Sequence, residues 1–217
     1  AFVPLDLQQS HFATVEAHHT AWIIIALAAC FWLATGGGGR AAAAAGAAVA
    51  ASYPGGPVTK IVEKLIDLSK SCDLYVEWSN CEKVAFEVAL GCSLAGRRSV
   101  IAAKHVGINH ILDPLMTVNL TGCGGGMVIL AGDDPGSYGS QNEQDSRLLG
   151  ALAEIPVLEP ATPDQGYQMT RQAFRLSEAC RIPVMVRFVA DYTIDIASVA
   201  TELRVHATCA EFSREMR

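Results

Sequence analysis

Ser99-Val100-Ile101-Ala102-Ala103 and Met127-Val128-Ile129-Leu130-Ala131 decide the fold. Each is an apolar run of strand length with none of the polar alternation an exposed face requires, so each reads as a strand buried on both faces. Further strands are expected over 74–78, 156–158 and 183–189. Between them lie helical patterns over 58–70, where Ile61, Leu65 and Leu68 form one stripe, and over 82–95, where Val84, Val88 and Cys92 stack. Helices are also expected over 142–153 and 163–180. The alanine-rich stretch from Arg40 to Ala51 predicts another helix, because alanine loses no side-chain entropy on becoming helical, and Tyr53-Pro54-Gly55-Gly56-Pro57 stops it. Strands separated by helices imply βαβ crossovers. The expected fold is α/β, with a mainly parallel central sheet of about six strands and helices on both faces.

The 217 residues suffice for one domain with a well-filled core. With 51% hydrophobic residues the chain is not disordered, and a net charge of −6 with sixteen Lys and Arg argues against nucleic acid or an anionic membrane as partner. Seven cysteines, with no C-x-x-C pair, read as scattered, reduced core residues, which places the chain in the cytoplasm. Residues 1–39 form an atypical N-terminal segment. Its uncharged run, 21–34, is shorter than the ~20 residues of a membrane span. The run has Asp6, Glu16 and three histidines upstream instead of the basic region of a signal peptide. It reads as a buried element or terminal hairpin, with a membrane anchor or a segment foreign to the fold as alternatives. Residues 40–190 form the domain and 191–217 a C-terminal tail.

In parallel sheets ligands sit beyond the carboxyl ends of the strands. The loops that matter are therefore 78–82, 104–109 and 132–144, and the unusual polar residues concentrate there. The first runs through Glu77-Trp78-Ser79-Asn80-Cys81-Glu82. The second is Lys104-His105-Val106-Gly107-Ile108-Asn109, followed by Asp113-Pro114-Leu115-Met116-Thr117. The third is Asp133-Asp134-Pro135-Gly136-Ser137-Tyr138-Gly139-Ser140-Gln141-Asn142-Glu143-Gln144-Asp145-Ser146-Arg147.

With Tyr53-Pro54-Gly55-Gly56-Pro57 upstream and Ile155-Pro156-Val157-Leu158-Glu159-Pro160 downstream, these strings resemble the 2-oxoacid ferredoxin oxidoreductase family. Within it, the match is to the thiamine diphosphate pyrimidine-binding domain of indolepyruvate ferredoxin oxidoreductase α subunits. The resemblance spans about Arg40 to Val189. It implies the thiamine diphosphate-binding fold and oxidative decarboxylation of an aryl 2-oxoacid to an acyl-CoA. The cofactor would be shared with a diphosphate-binding subunit carrying Mg2+ and iron-sulfur clusters. A ferredoxin-type acceptor would take electrons through that partner, and the assembly would be an oligomer. The sequence also departs from the family. Gly36 to Gly39 replace its Gly-Asn-Glu-Ala opening, and Pro54-Gly55-Gly56 replaces its Pro-Gly-Thr turn, removing a hydroxyl. Neither the Gly-Asp-Gly motif of the second thiamine domain nor a C-x-x-C motif occurs in these 217 residues, so the expectation is half of an active site.

By this resemblance Glu82 faces the pyrimidine, hydrogen-bonding N1′ to favour the imino tautomer that takes the thiazolium C2 proton. Tyr53, Pro54 and Gly55 would line the cofactor. The bare pattern allows another role: Ser79-Asn80-Cys81-Glu82 is S-x-x-E, a capping box in which Glu82 satisfies the Ser79 backbone N–H. Lys104, His105 and Asn109 are candidates for the substrate's carboxylate or carbonyl, with a solvated turn as their alternative. Asp133 and Asp134 read as turn and cap residues, and no metal site is expected on this chain. Gly122 and Gly124 to Gly126 precede a strand where a phosphate cradle would follow one, and read as a flexible connector. His11, His18 and His19 receive no role. Two other functions stay open: a non-catalytic scaffold or regulatory subunit, and a subunit of a non-oxidative 2-oxoacid decarboxylase.

Overall fold

A computed structural model describes residues 46–70, 74–137 and 139–189. Strand β1 (Ala47–Ser52) is followed by helix α1 (Val58–Ser69), β2 (Tyr75–Trp78), α2 (Glu82–Leu94), β3 (Arg98–Lys104) and α3 (His105–Thr121). Then come β4 (Met127–Asp133), α4 (Ser146–Leu152), β5 (Val157–Leu158), α5 (Pro163–Cys180) and β6 (Val184–Val189). Among the described residues the sheet has six strands in the order β2-β1-β3-β4-β6-β5, and every pair is parallel. The uncharged run 21–34, residues 1–39, the C-terminal tail and His11, His18 and His19 lie outside the described residues. Among the described residues no helix is long and apolar enough to cross a membrane.

The two deciding runs lie side by side, with Ser99 opposite Met127 and Ala103 opposite Ala131. Their alternate residues feed two cores. Val100, Ala102, Val128 and Leu130 pack with Ile61, Val62 and Leu65 of α1 and Phe174 of α5. Ile101, Ala103, Ile129 and Ala131 pack on the other face with Ala85, Phe86 and Ala89 of α2 and Ile108, Ile111 and Leu115 of α3. Both faces are thus covered by helices, which is why neither strand shows alternation.

Four local expectations are corrected. The alanine-rich run is strand, not helix, where it is described: β1 lies between β2 and β3, and Ala47 to Ala51 are all buried. Helix propensity amounts to less than about 1 kcal/mol per residue, and an interior strand position gives the backbone hydrogen bonds on both sides. Residues 104–109 are not a loop. Strand β3 runs directly into α3, and the stripe Ile108, Ile111, Leu115, Val118 carries the helix past Pro114. Helix α4 starts at Ser146 and not at 142, because the Asp145 side chain caps it by accepting from the Arg147 amide at 3.0 Å. The glycines before β4 are packed, not flexible. A Cβ on Gly124 would sit 2.6 Å from the Ser93 carbonyl oxygen and one on Gly126 3.0 Å from that of Phe174. The Gly125 amide donates to Ser93 O at 2.6 Å.

Candidate functional site

The carboxyl ends of β1, β2, β3 and β4 bring the candidate residues to one edge of the sheet. At the end of β1, the Ser52 hydroxyl donates to the Ala102 carbonyl at 2.7 Å, and Ser52 O accepts from the Ser79 amide at 2.8 Å, tying the ends of β1, β2 and β3 together. The Tyr53-Pro54-Gly55 turn leaves this corner with Tyr53 and Pro54 exposed. Thr59 steadies it, its hydroxyl accepting from the Gly55 amide at 2.9 Å. Gly55 lies against Lys104, so close that a Cβ on it would be 3.2 Å from the Lys104 Cβ.

Glu82 is the first residue of α2, and Cys81 is the N-cap. This excludes the capping box, which needs Glu82 in the third helical position. The Ser79 amide goes to Ser52, and the Ser79 hydroxyl donates to Glu77 Oε1 at 2.7 Å. The Glu82 side chain is only 12% exposed. Its Oε2 lies 3.4 Å from Nδ1 of the largely exposed His110, and its Oε1 faces Gly107. A helix N-terminus favours a carboxylate electrostatically. A largely sequestered carboxyl at the carboxyl edge of a parallel sheet, with no capping duty, has the chemistry to hold a proton at a ring nitrogen. The residues present therefore fit the aminopyrimidine end of thiamine diphosphate.

Lys104, His105 and Asn109 come together along the start of α3, and all three hold the loop between β4 and α4. Lys104 Nζ donates to Gly139 O at 3.4 Å, His105 Nε2 to Asn142 O at 3.0 Å, and Asn109 Nδ2 to Gln144 Oε1 at 3.1 Å. Lys104 and His105 are buried, Asn109 exposed. The Nε2–H of His105 is engaged by that carbonyl, and among the described residues its buried Nδ1 has no hydrogen-bond partner. Asp134 accepts from Ser140 Oγ at 2.6 Å and from the Gly139 amide at 3.1 Å. These bonds, with smaller help from the Lys104 and His105 charges, hold its carboxyl below the ordinary carboxylate range.

Asp133 has a different task. Fully buried, it accepts from the Ser146 amide at 3.0 Å, from the Ser146 hydroxyl and from Arg187 Nε at 2.7 Å. Arg187 also reaches Glu159, and it lies 3.7 Å from Asp145, which Arg147 engages at 2.6 Å. Asp133 is thus consumed in locking α4 onto the sheet. Among the described residues no three His, Cys, Asp or Glu side chains converge to hold a metal ion. Sequence reasoning missed Arg187, Gly107 and His110. The signal for Arg187 was a single charge in the buried run 183–189, which demands a counter-ion. The signal for Gly107 and His110 was their i, i+3 spacing, which only a helical reading of 105–121 makes meaningful.

Residues 40–195 match the family described as pyruvate flavodoxin/ferredoxin oxidoreductase, thiamine diP-bdg. The chain is 43% identical over 139 residues to the indolepyruvate oxidoreductase subunit IorA of Pyrococcus horikoshii, covering 64% of this chain and 22% of that protein. It is 45% identical over 139 residues, with the same coverage, to IorA of Methanothermobacter marburgensis. The chain thus spans about a fifth of the length of the curated relatives it matches. Among solved structures, a 2-oxoglutarate:ferredoxin oxidoreductase from Magnetococcus marinus, with 2-oxoglutarate, coenzyme A and succinyl-CoA bound, shares the fold. The TM-score is 0.63 at 20% identity, over 79% of this chain and 30% of that one.

Proposed function

The chain belongs to the pyruvate flavodoxin/ferredoxin oxidoreductase thiamine diphosphate-binding family, and from that premise we propose that it is the pyrimidine-binding half of a 2-oxoacid oxidoreductase. Its similarity to indolepyruvate oxidoreductase subunits supports an aryl 2-oxoacid of the indolepyruvate type as substrate. In this reading the 2-oxoacid loses CO2, its acyl group passes to the thiol of CoA, and two electrons leave to a ferredoxin-type acceptor. The partner subunit contributes the diphosphate site, Mg2+ and the iron-sulfur clusters, and the assembly is an oligomer. The chain acts in the cytoplasm.

The observation that carries the proposal is Glu82, a sequestered carboxyl at the start of α2 with no structural capping role. Thiamine diphosphate, when bound, supplies the electron sink for cleavage beside a 2-oxo group. Glu82 holds a proton at the pyrimidine N1′, and its burial among Gly107 and α2 excludes water that would compete for that hydrogen bond. Tyr53, Pro54 and Gly55 would line the ring. Lys104, whose ammonium donates to the Gly139 carbonyl at 3.4 Å, gains a stronger partner in the substrate carboxylate, because charge-assisted hydrogen bonds are roughly twice as strong as neutral ones. His105 and Asn109 flank it and contribute an unpartnered ring nitrogen and an amide.

The test is Glu82→Gln in the chain assembled with its diphosphate-binding partner. General acid–base groups contribute about 10²–10⁴-fold, so deuterium exchange at C2 of the bound thiazolium should slow by at least two orders of magnitude while the melting temperature holds. Unchanged exchange refutes the assignment and puts a non-catalytic scaffold ahead. Product analysis separates the remaining readings: acyl-CoA with reduced ferredoxin supports the oxidative reaction, and free aldehyde indicates a non-oxidative decarboxylase.

A further inference from the structure

Helix α3 carries a glycine two residues after its first, although glycine is a poor helix former. Gly107 does not use glycine's backbone freedom, since its φ is not positive. What it lacks is a side chain, and Glu82 occupies that space. A Cβ on Gly107 would lie 2.5 Å from Glu82 Oε1, 2.6 Å from its Cγ and 2.8 Å from its Cδ. These distances are too short for any real contact. One helical turn further along the same face, His110 Nδ1 sits 3.4 Å from Glu82 Oε2. The next residue along α2, Lys83, donates to Asp113 of α3 at 3.0 Å, so the N-terminus of α2 is also tied to α3 beyond this gap.

We propose that Gly107 is a positioning residue: the bare face of α3 at Gly107, closed by His110, is the seat that aims the Glu82 carboxyl. The inference rests on the reading of Glu82 as the pyrimidine-facing group. The clash a larger residue would create falls on the Glu82 side chain from Cγ outward and not on backbone, so a side chain at position 107 evicts the carboxyl and leaves the backbone of both helices in place.

Gly107→Ala tests this on the full chain. Alanine is the better helix former, so the melting temperature should stay level or rise. A crystal structure of the variant should show the Glu82 carboxyl moved by more than 1 Å from its place beside His110, on the order of the overlap a Cβ creates at packing distances of ~3.5–4.0 Å. In the assembled complex, C2 exchange should then fall by about the same two orders of magnitude as in Glu82→Gln. In a Glu82→Ala background, where Cγ, Cδ and Oε1 are gone, Gly107→Ala should raise the melting temperature by more than it does with Glu82 present. A carboxyl that stays in place in Gly107→Ala overturns the proposal, as does a displaced carboxyl with full exchange while Glu82→Gln abolishes it. If Glu82→Gln leaves exchange intact, the functional reading of Glu82 fails, and the crystal structure still decides whether Gly107 seats it.

Discussion

Replacing Arg187 by Met would strand the Asp133 carboxylate inside the protein. The two side chains are 7% and 1% exposed, and the 2.7 Å bond from Arg187 Nε to Asp133 Oδ2 bridges neighbouring strands β6 and β4. Removing one partner of a buried pair costs about 3–5 kcal/mol, because the other charge keeps its desolvation penalty. Here Asp133 retains the amide and hydroxyl of Ser146, and each such hydrogen bond offsets about 1 kcal/mol. The ion pair of Arg187 with Glu159, a 42% exposed carboxylate, adds little to the cost. The expected cost is therefore at the lower end, about 3 kcal/mol. At roughly 2–4 °C per kcal/mol for a domain of this size, the melting temperature should drop by about 6–12 °C. Calorimetry at neutral pH, repeated for Asp133→Asn and the double variant, measures it. With the carboxylate also neutralised, the double variant should be more stable than the sum of the single losses predicts by about 1 kcal/mol or more. A drop below about 2 °C for Arg187→Met, or losses that add within about 0.5 kcal/mol, would refute the reasoning.

Two further outcomes follow from the charges and thiols. Arg147 holds the carboxyl of Asp145 at about 2, below its ordinary 3.8, mainly through direct hydrogen bonding. A depressed carboxylate stabilises the fold above its unfolded value, so this contribution is complete above about pH 4 and is lost as pH falls through about 2. Asp145→Asn should flatten the fall of melting temperature measured between pH 5 and 2, and an unchanged slope would rule the pair out as a contributor. Burial pushes the Cys92 thiol up to about 12 and raises that of Cys123, whereas Cys180 is exposed. Under native conditions at pH 8 an alkylating reagent followed by peptide mass analysis should label Cys180 and leave Cys92 intact until the chain is unfolded. Labelling of Cys92 at the rate of Cys180 would contradict its burial.

The sequence alone was enough for the layered α/β architecture, because a parallel sheet covered on both faces imposes a pattern that chain-local reading detects. Runs 99–103 and 127–131 have no polar alternation, and helical stripes separate them from their neighbours. It also pointed to the strand-end positions of Glu82, Lys104 and His105, since strand ends announce themselves through a change of polarity. What it could not determine depended on neighbours distant in the chain. The run Ala47 to Ser52 has a local preference for helix, and only the hydrogen bonds offered by β2 and β3 on its two sides make it a strand. The capping box at Ser79 is a correct local pattern that loses because the Ser79 amide is claimed by Ser52, from a strand 27 positions earlier. Asp133 has the local pattern of a turn residue, and only the fold brings Arg187, from another strand, against it at 2.7 Å. Gly107 has the local character of a helix breaker, and only the packing of α2 across α3 turns its missing side chain into the space that Glu82 fills. Local propensities are worth tenths of a kcal/mol per residue and act along the chain, while buried charge, backbone pairing and packed volume are worth several and act through space. Wherever the two conflict in this protein, the interaction through space prevails.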